Sequence, residues 1–332
     1  MTRVAAIDCG TNSLRLLVAD VDPGAGRLTD VDRRMEIVRL GQGVDSTGRL
    51  SPEALDRTLR ALAGYARIIG DLSADAVRMV ATSATRDAAN AADFVRGVTG
   101  VLGLEPEVLS GEEEAYLSFT GATAEFTGPE FTGPEFTGPG ASGRVAAPCL
   151  VVDIGGGSTE FVLGDVQATG ARLETTGISA VSVDIGCVRL TERHLHSDPP
   201  SASQIAAAAA DIDAALDTVA AAIPVTAART LVGLAGSVTT VAGLALGLPA
   251  YDSARIHHAR VSAAEVAEQT RSLLRQTRQQ RAGLAVMHPG RVDVIGGGAL
   301  VLDRVIRRFG FSEVLVSEHD ILDGIAWSLA GR

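Results

Sequence analysis

Two segments of matching pattern constrain this chain most. Asp8-Cys9-Gly10-Thr11-Asn12-Ser13 and Asp153-Ile154-Gly155-Gly156-Gly157-Ser158-Thr159-Glu160 each end an apolar, β-branched run, and each joins an aspartate to glycines and hydroxyls. Such a segment can close a β-hairpin: glycine permits a positive φ and exposes backbone N–H groups to an anion, while the aspartate holds a cation that offsets phosphate charge. A lone Asp-x-Gly-x-x-Ser is most simply a plain turn. Two matched copies predict a pair of phosphate loops facing one another. A third glycine turn, Gly233-Leu234-Ala235-Gly236-Ser237, and a fourth, Asp293-Val294-Ile295-Gly296-Gly297-Gly298, each follow an apolar, strand-like run and precede a helix-like one, so a phosphate-binding cleft is the leading expectation.

Composition removes several function classes. The 332 residues suffice for two domains, each with its own core, and 46% hydrophobic with 21% charged residues is a globular balance. No apolar run reaches membrane-spanning length, and Met1-Thr2-Arg3 leads straight into a short strand without a signal-peptide core, which points to the cytoplasm. A formal net charge of −11 argues against a nucleic-acid surface, which needs a basic face. There is no lysine, so every basic side chain except histidine is an arginine, whose planar fork suits phosphate oxygens. Cys9, Cys149 and Cys187 are odd in number, far apart and without metal-ligand spacing, as expected of reduced thiols. His194/His196 and His257-His258 also lack a ligand pattern.

Along the chain, residues 3–8, 14–22 and 28–38 read as a strand meander, and Ser51-Pro52-Glu53 opens a helix. Further strands are expected at Val77–Ala81 and Glu105–Leu109, with a helix over Asn90–Thr99 between them. After Pro148 the pattern repeats, with strands through Val152 and Phe161, a third near Arg172–Thr175, helices from Ser179, Ser201 and Ser262, and a strand at Thr230–Leu234. These readings divide the chain into a first domain at 1–120, a second at 121–311, and a C-terminal segment, 312–332, packing back on the first. An insert at 125–143 carries three tandem copies of Glu-Phe-Thr-Gly-Pro, which can continue neither a helix nor a ladder and is expected to be a surface loop.

In order along the chain, the two loops, Ala84-Thr85-Arg86-Asp87-Ala88, Leu109-Ser110-Gly111-Glu112-Glu113-Glu114-Ala115, Gly186-Cys187-Val188-Arg189-Leu190-Thr191-Glu192, the Gly296 triplet and Val316-Ser317-Glu318 resemble the exopolyphosphatase/guanosine pentaphosphate phosphohydrolase (Ppx/GppA) family of the actin-like ATPase superfamily. The first loop departs from that family's usual Asp-Ile-Gly-Ser-Asn-Ser at Cys9 and Thr11, where a small residue and a hydroxyl are kept. The resemblance covers nearly the whole chain, in the short form without extra helical C-terminal domains. It implies an α/β fold of two ribonuclease-H-like domains around a central cleft, a homodimer, and hydrolysis of a terminal phosphoanhydride in inorganic polyphosphate or in guanosine pentaphosphate, which would leave the tetraphosphate. An actin-like ATPase or sugar kinase, and a protein that only binds a phosphorylated alarmone, are the readings from other classes.

Helix geometry separates the three consecutive glutamates. Ser110 and Glu113 have capping-box spacing, and Glu112 lies in the first turn, where the helix dipole favours negative charge. Glu114, ~100° further round, has neither task, and it matches the position of the family's proposed catalytic base. Asp8, Asp153 and Glu160 are the carboxylates assigned to a divalent cation, Mg²⁺ foremost, with Asp153 and Glu160 counted as catalytic beside Glu114. Phosphate or substrate contacts are expected from Thr11, Asn12, Ser13, Arg15, Arg86, Gly155, Gly156, Gly157, Ser158, Thr159, Gly236, Ser237 and Arg291, with Arg189 a weaker one.

Overall fold

The structure, a computed structural model, describes residues 1–127, 145–165 and 178–330. They form two compact units: Met1–Ala124 with the segment from His319 onward, and the chain from Glu125 to Glu318. The first unit holds strands β1 (Thr2–Cys9), β2 (Ser13–Asp22), β3 (Arg27–Ile37), β4 (Ala76–Ala81) and β5 (Glu107–Val108), and the second holds β6 (Cys149–Ile154), β7 (Thr159–Gly164), β8 (Ser179–Val183), β9 (Thr230–Leu234), β10 (Arg260–Ser262) and β11 (Glu313–Val316). The sheets run β3-β2-β1-β4-β5 and β10-β11-β9-β6-β7-β8. Read from β8, the second sheet repeats the first: two antiparallel pairings, then parallel pairings of β6 with β9 and of β9 with β11, plus β10 as an extra antiparallel edge. This is the ribonuclease-H-like order, present twice.

Side-chain alternation explains how the first sheet is buried on both faces. Ala5, Ile7, Cys9, Leu14, Leu16 and Val18 enter one core, while Val4, Ala6, Leu17, Ala19 and Val21 enter another. The first core is closed by the helices Pro52–Asp71 and Ala91–Leu102, the second by Ile321–Ala330 with Leu117 of the helix Gly111–Thr123. Helix starts follow their caps. Ser51 accepts from the Ala54 N–H with Pro52 in the first turn, and Ser110/Glu113, Ser201/Gln204 and Ser262/Glu265 close reciprocal capping boxes. Among the described residues no helix is long and apolar enough to cross a membrane.

Three expectations change. Ser179 begins a strand, not a helix: Val181 and Val183 are β-branched and Ser179–Val183 pairs antiparallel with β7, so helix waits until Cys187. No strand precedes the Gly296 triplet. Val292-Asp293-Val294-Ile295 is too short to be assigned by periodicity, and it becomes a turn feeding the helix Ile295–Phe309. The segment from 312 does not all return to the first unit, because β11 pairs with β9 and only the chain from His319 joins it. The strand expected near Arg172–Thr175 and most of the Glu-Phe-Thr-Gly-Pro insert lie outside the described residues. Of the insert's phenylalanines, Phe126 is buried, its ring centroid 5.8 Å from that of His258.

Candidate active site

Each loop turns its carbonyls into the protein. In the first, Gly10 N–H donates to Ser13 O (3.0 Å), the Thr11 carbonyl accepts from Gly41 N–H (2.8 Å), and the Asn12 carbonyl accepts from Val38 and Arg39 N–H (3.1 and 2.8 Å). The Thr11 and Ser83 hydroxyls are 2.8 Å apart. In the second, Gly155 N–H donates to Ser158 O (3.1 Å), and the start of the helix Cys187–His194 takes the carbonyls: Cys187 N–H bonds Gly155 O (3.0 Å), and Val188 and Arg189 N–H bond Gly156 O (2.9 and 3.1 Å). Arg189 Nε donates to Gly157 O (2.6 Å), so this side chain braces the loop. With the carbonyls held, the N–H groups of Thr11 and Asn12, and those of Gly156, Gly157 and Ser158, find no acceptor among the described residues. Two backbone nests of one design result, each suited to phosphate oxygens.

The hairpin register places Arg15 opposite Asp8 and Glu160 opposite Asp153. Arg15 Nε and Nη2 both donate to Asp8 Oδ2, at 2.9 and 2.7 Å, and Nη1 pairs with Asp320. Asp8 Oδ1 is buried and has no hydrogen-bond partner. Burial raises the Asp8 carboxyl above its ordinary range, against the pull of Arg15. Burial pushes Asp320 the same way, but there Arg15, the Leu322 N–H and Arg33 prevail and hold it below that range. Asp153 and Glu160 are both buried, and Glu160 Oε1 accepts from the Ser182 hydroxyl (2.8 Å). Thr159 is fully buried and gives its hydroxyl proton to Ile185 O, so it braces the hairpin instead of donating to a phosphate as expected.

Glu114 is buried on the helix that Ser110 and Glu113 cap, and its Oε2 accepts from Arg86 Nη1 (3.2 Å), which also donates to Leu109 O (3.0 Å). The structure thus joins two residues that the sequence reading had given separate tasks.

In the second unit three helix starts meet, a convergence the sequence reading missed. A Cβ on Gly186 would lie 2.3 Å from Gly156 O, one on Gly297 2.9 Å from Cys187 O, one on Gly298 2.0 Å from Ser237 Oγ, and one on Gly236 2.3 Å from the Arg291 Cζ. These glycines are what let the helices Cys187–His194, Ala235–Ala245 and Ile295–Phe309 approach, and their positive dipole ends then share one neighbourhood. Arg291 Nη1 bonds Thr240 Oγ1 (3.3 Å). Ala235 takes φ of 68°, a left-handed conformation rare for a residue with a side chain, at the junction of β9 and its helix. The recurrent glycines were the signal for this convergence, but their partners lie far apart in sequence.

Among the described residues no three of His, Cys, Asp and Glu gather to hold a metal ion, and the three cysteines are buried free thiols. Residues 17–133 and 139–332 match the model of the Ppx/GppA phosphatase family. The whole chain aligns with 99% of exopolyphosphatase 2 of Mycobacterium tuberculosis at 49% identity. A crystal structure of an exopolyphosphatase-like protein is similar at 40% identity and a TM-score of 0.88, over 99% of this chain and 97% of that one. A family member from Aquifex aeolicus is similar at 27% identity and a TM-score of 0.76, with the same coverage. The chain therefore belongs to the Ppx/GppA phosphatase family.

Proposed function

We propose that the protein is an exopolyphosphatase that removes terminal phosphate from inorganic polyphosphate, short chains above all. The observation that carries this is the recurrence of one nest in each unit: Thr11 and Asn12 in the first, and Gly156, Gly157 and Ser158 in the second, present N–H groups while the carbonyls of Thr11, Asn12, Gly155, Gly156 and Gly157 are held. Polyphosphate is an unbranched run of phosphoryl groups, whose oxygens accept from amide N–H groups of this kind. The name and full-length identity of the mycobacterial relative support the same reading.

In this reading Glu114 takes a proton from water as the water attacks the terminal phosphorus, and Arg86 holds that carboxylate in position. The nests, Ser13, and Gly236, Ser237 and Arg291 at the meeting of the helix starts bear the developing charge on the phosphoryl oxygens. A divalent cation, Mg²⁺ in our assignment, would supply charge neutralisation on the phosphates, with Asp8, Asp153 and Glu160 as its carboxylates. Each is a buried oxygen donor of the kind a hard cation takes, and Asp8 Oδ1 lacks a hydrogen-bond partner. We place the enzyme in the cytoplasm, where buried thiols stay reduced.

Guanosine pentaphosphate is the second substrate reading. It would use Arg15 and Arg291 to grip ribose phosphates, and of these the Arg15 guanidinium is engaged by Asp8 and Asp320. The test is kcat/KM on short polyphosphate, long polyphosphate and guanosine pentaphosphate at one ionic strength. Short polyphosphate should lead. Efficient pentaphosphate hydrolysis with negligible polyphosphate turnover would replace this proposal by the second reading.

A further inference from the structure

The C-terminal helix begins beside the first loop, at Asp320. This residue is 5% exposed, and its carboxylate pairs with Arg15 through one oxygen and accepts the Leu322 N–H (3.0 Å) through the other. Its own N–H donates to Asp323 Oδ2 (3.0 Å), and Asp323 in turn pairs with Arg33 (2.5 Å). Its backbone is equally fixed: a Cβ on Gly121 would lie 1.8 Å from Asp320 O, and one on Gly324 2.0 Å from Leu117 O. The helix that carries Glu114 and the helix that starts at Ile321 therefore cross backbone against backbone, and Asp320 sits at that crossing.

Arg15 shares its donors between two carboxylates. Nη1 goes to Asp320, which orients the fork so that Nε and Nη2 both reach Asp8 Oδ2 and leave Oδ1 unsatisfied. Counting charges, Asp8 and Arg15 alone would be neutral, and Asp320 makes the group −1. Arg33 is shared in the same way by Asp323 and Asp30, an arrangement that the substitutions below leave unchanged.

We propose that Asp320 is a positioning residue that sets the charge preference of the first loop: by occupying Arg15 it keeps that arginine from capturing phosphate and leaves Asp8 Oδ1 oriented and net negative toward a cation. This rests on the phosphohydrolase reading for its purpose, but not for its test. Arg15 becomes a charge-balancing group instead of the substrate contact that the sequence suggested. Without Asp320 the loop should exchange preferences, binding anions better and cations worse, whereas a purely structural residue would weaken both.

The test is titration calorimetry of purified, metal-free protein with Mg²⁺ alone and with inorganic phosphate alone, using Asp320→Asn and the double variant Arg15→Met/Asp320→Asn. One buried charge near a site at short range supports an effect of about tenfold. Asp320→Asn should bind Mg²⁺ about tenfold more weakly and phosphate about tenfold more tightly. The double variant restores the net charge of −1 on Asp8 and should return Mg²⁺ affinity to within about threefold of wild type, with the gain in phosphate affinity abolished. Melting curves establish that each variant is folded. If Asp320→Asn does not fold, the double variant decides alone, and a tenfold loss of Mg²⁺ affinity in it overturns the proposal. So does a parallel loss of both ligands, or no change in either, in folded Asp320→Asn. Because neither titration uses polyphosphate, an error about the substrate would leave these outcomes untouched.

Discussion

The hairpins at Asp8–Arg15 and Asp153–Glu160 share a backbone and differ in everything around it. Both close with the same glycine-to-serine bond, at 3.0 and 3.1 Å, and both hold their carbonyls inward. Yet the residue facing the aspartate is an arginine in one and a glutamate in the other. Behind the first loop stand the segment 38–41, which follows β3, and the Ser83 hydroxyl; behind the second stands a helix N-terminus. The acids of the first loop thus share an arginine from within its unit and keep one net negative charge, while the second concentrates two buried acids beside the positive end of a helix. A repeated fold can keep the anion-binding backbone constant and divide the electrostatic work between its copies.

That division gives proton transfer to neither loop, so the largest effect should come from outside both. Glu114→Gln should lower kcat by ~10²–10⁴, the usual worth of a positioned general base, while Mg²⁺ and phosphate titrations stay within about twofold. Lost binding in this variant would show that Glu114 belongs to a nest. The next effect separates the loops by what supports them. Gly186→Ala drives a Cβ into the Gly156 carbonyl, which is backbone and must move, and a shift of about 1 Å in a positioned group costs on the order of 10²-fold in kcat/KM. Gly41→Ala meets the Thr11 Cγ2, also at 2.3 Å, but that is a side chain, and about tenfold is expected. A more damaging Gly41→Ala would reverse the comparison. Smaller again, Glu160→Gln removes one of the two acids, and apparent Mg²⁺ affinity should fall about 10–100-fold with phosphate affinity unchanged or improved. An unchanged Mg²⁺ requirement would separate Glu160 from the cation.

These contrasts were only partly legible in the sequence. The two nests were, because Asp-x-Gly-x-x-Ser after a β-branched run leaves a hairpin few alternatives, and Ser110/Glu113 was, because a capping box is local. Arg15 was visible as a cation beside a phosphate loop. Its engagement by Asp320, 305 positions away, was not, since nothing local records which carboxylate folds over a strand. Thr159 failed for a related reason: a hydroxyl in a phosphate motif is ambiguous until its own acceptor, Ile185 O, is known. Ser179 misled because a serine before apolar residues suits a strand edge as well as an N-cap, and the valines at 181 and 183 gain more from pairing with β7.

The smallest effect is a control on the largest, one residue away. Glu113 is deprotonated in its capping box, where the Ser110 N–H and then the Ser110 hydroxyl hold its carboxyl below the ordinary value. A lowered folded-state pKa means that folding opposes protonation, so this stabilisation is complete above the unfolded value of about 4.3 and is lost as pH falls through the lowered folded one. Glutamine still accepts the N–H but carries no charge for the helix dipole. Glu113→Gln should therefore keep nearly full activity and melt a few degrees lower at neutral pH, with a cost below about 1 kcal/mol. As pH falls through the Glu113 transition, the wild type loses what the variant never had, so the two melting curves should converge on the acid side. A gap that stays constant with pH would mean that Glu113 stabilises by shape alone. A drop in kcat matching that of Glu114→Gln would remove the distinction between cap and base on which the assignment of Glu114 rests.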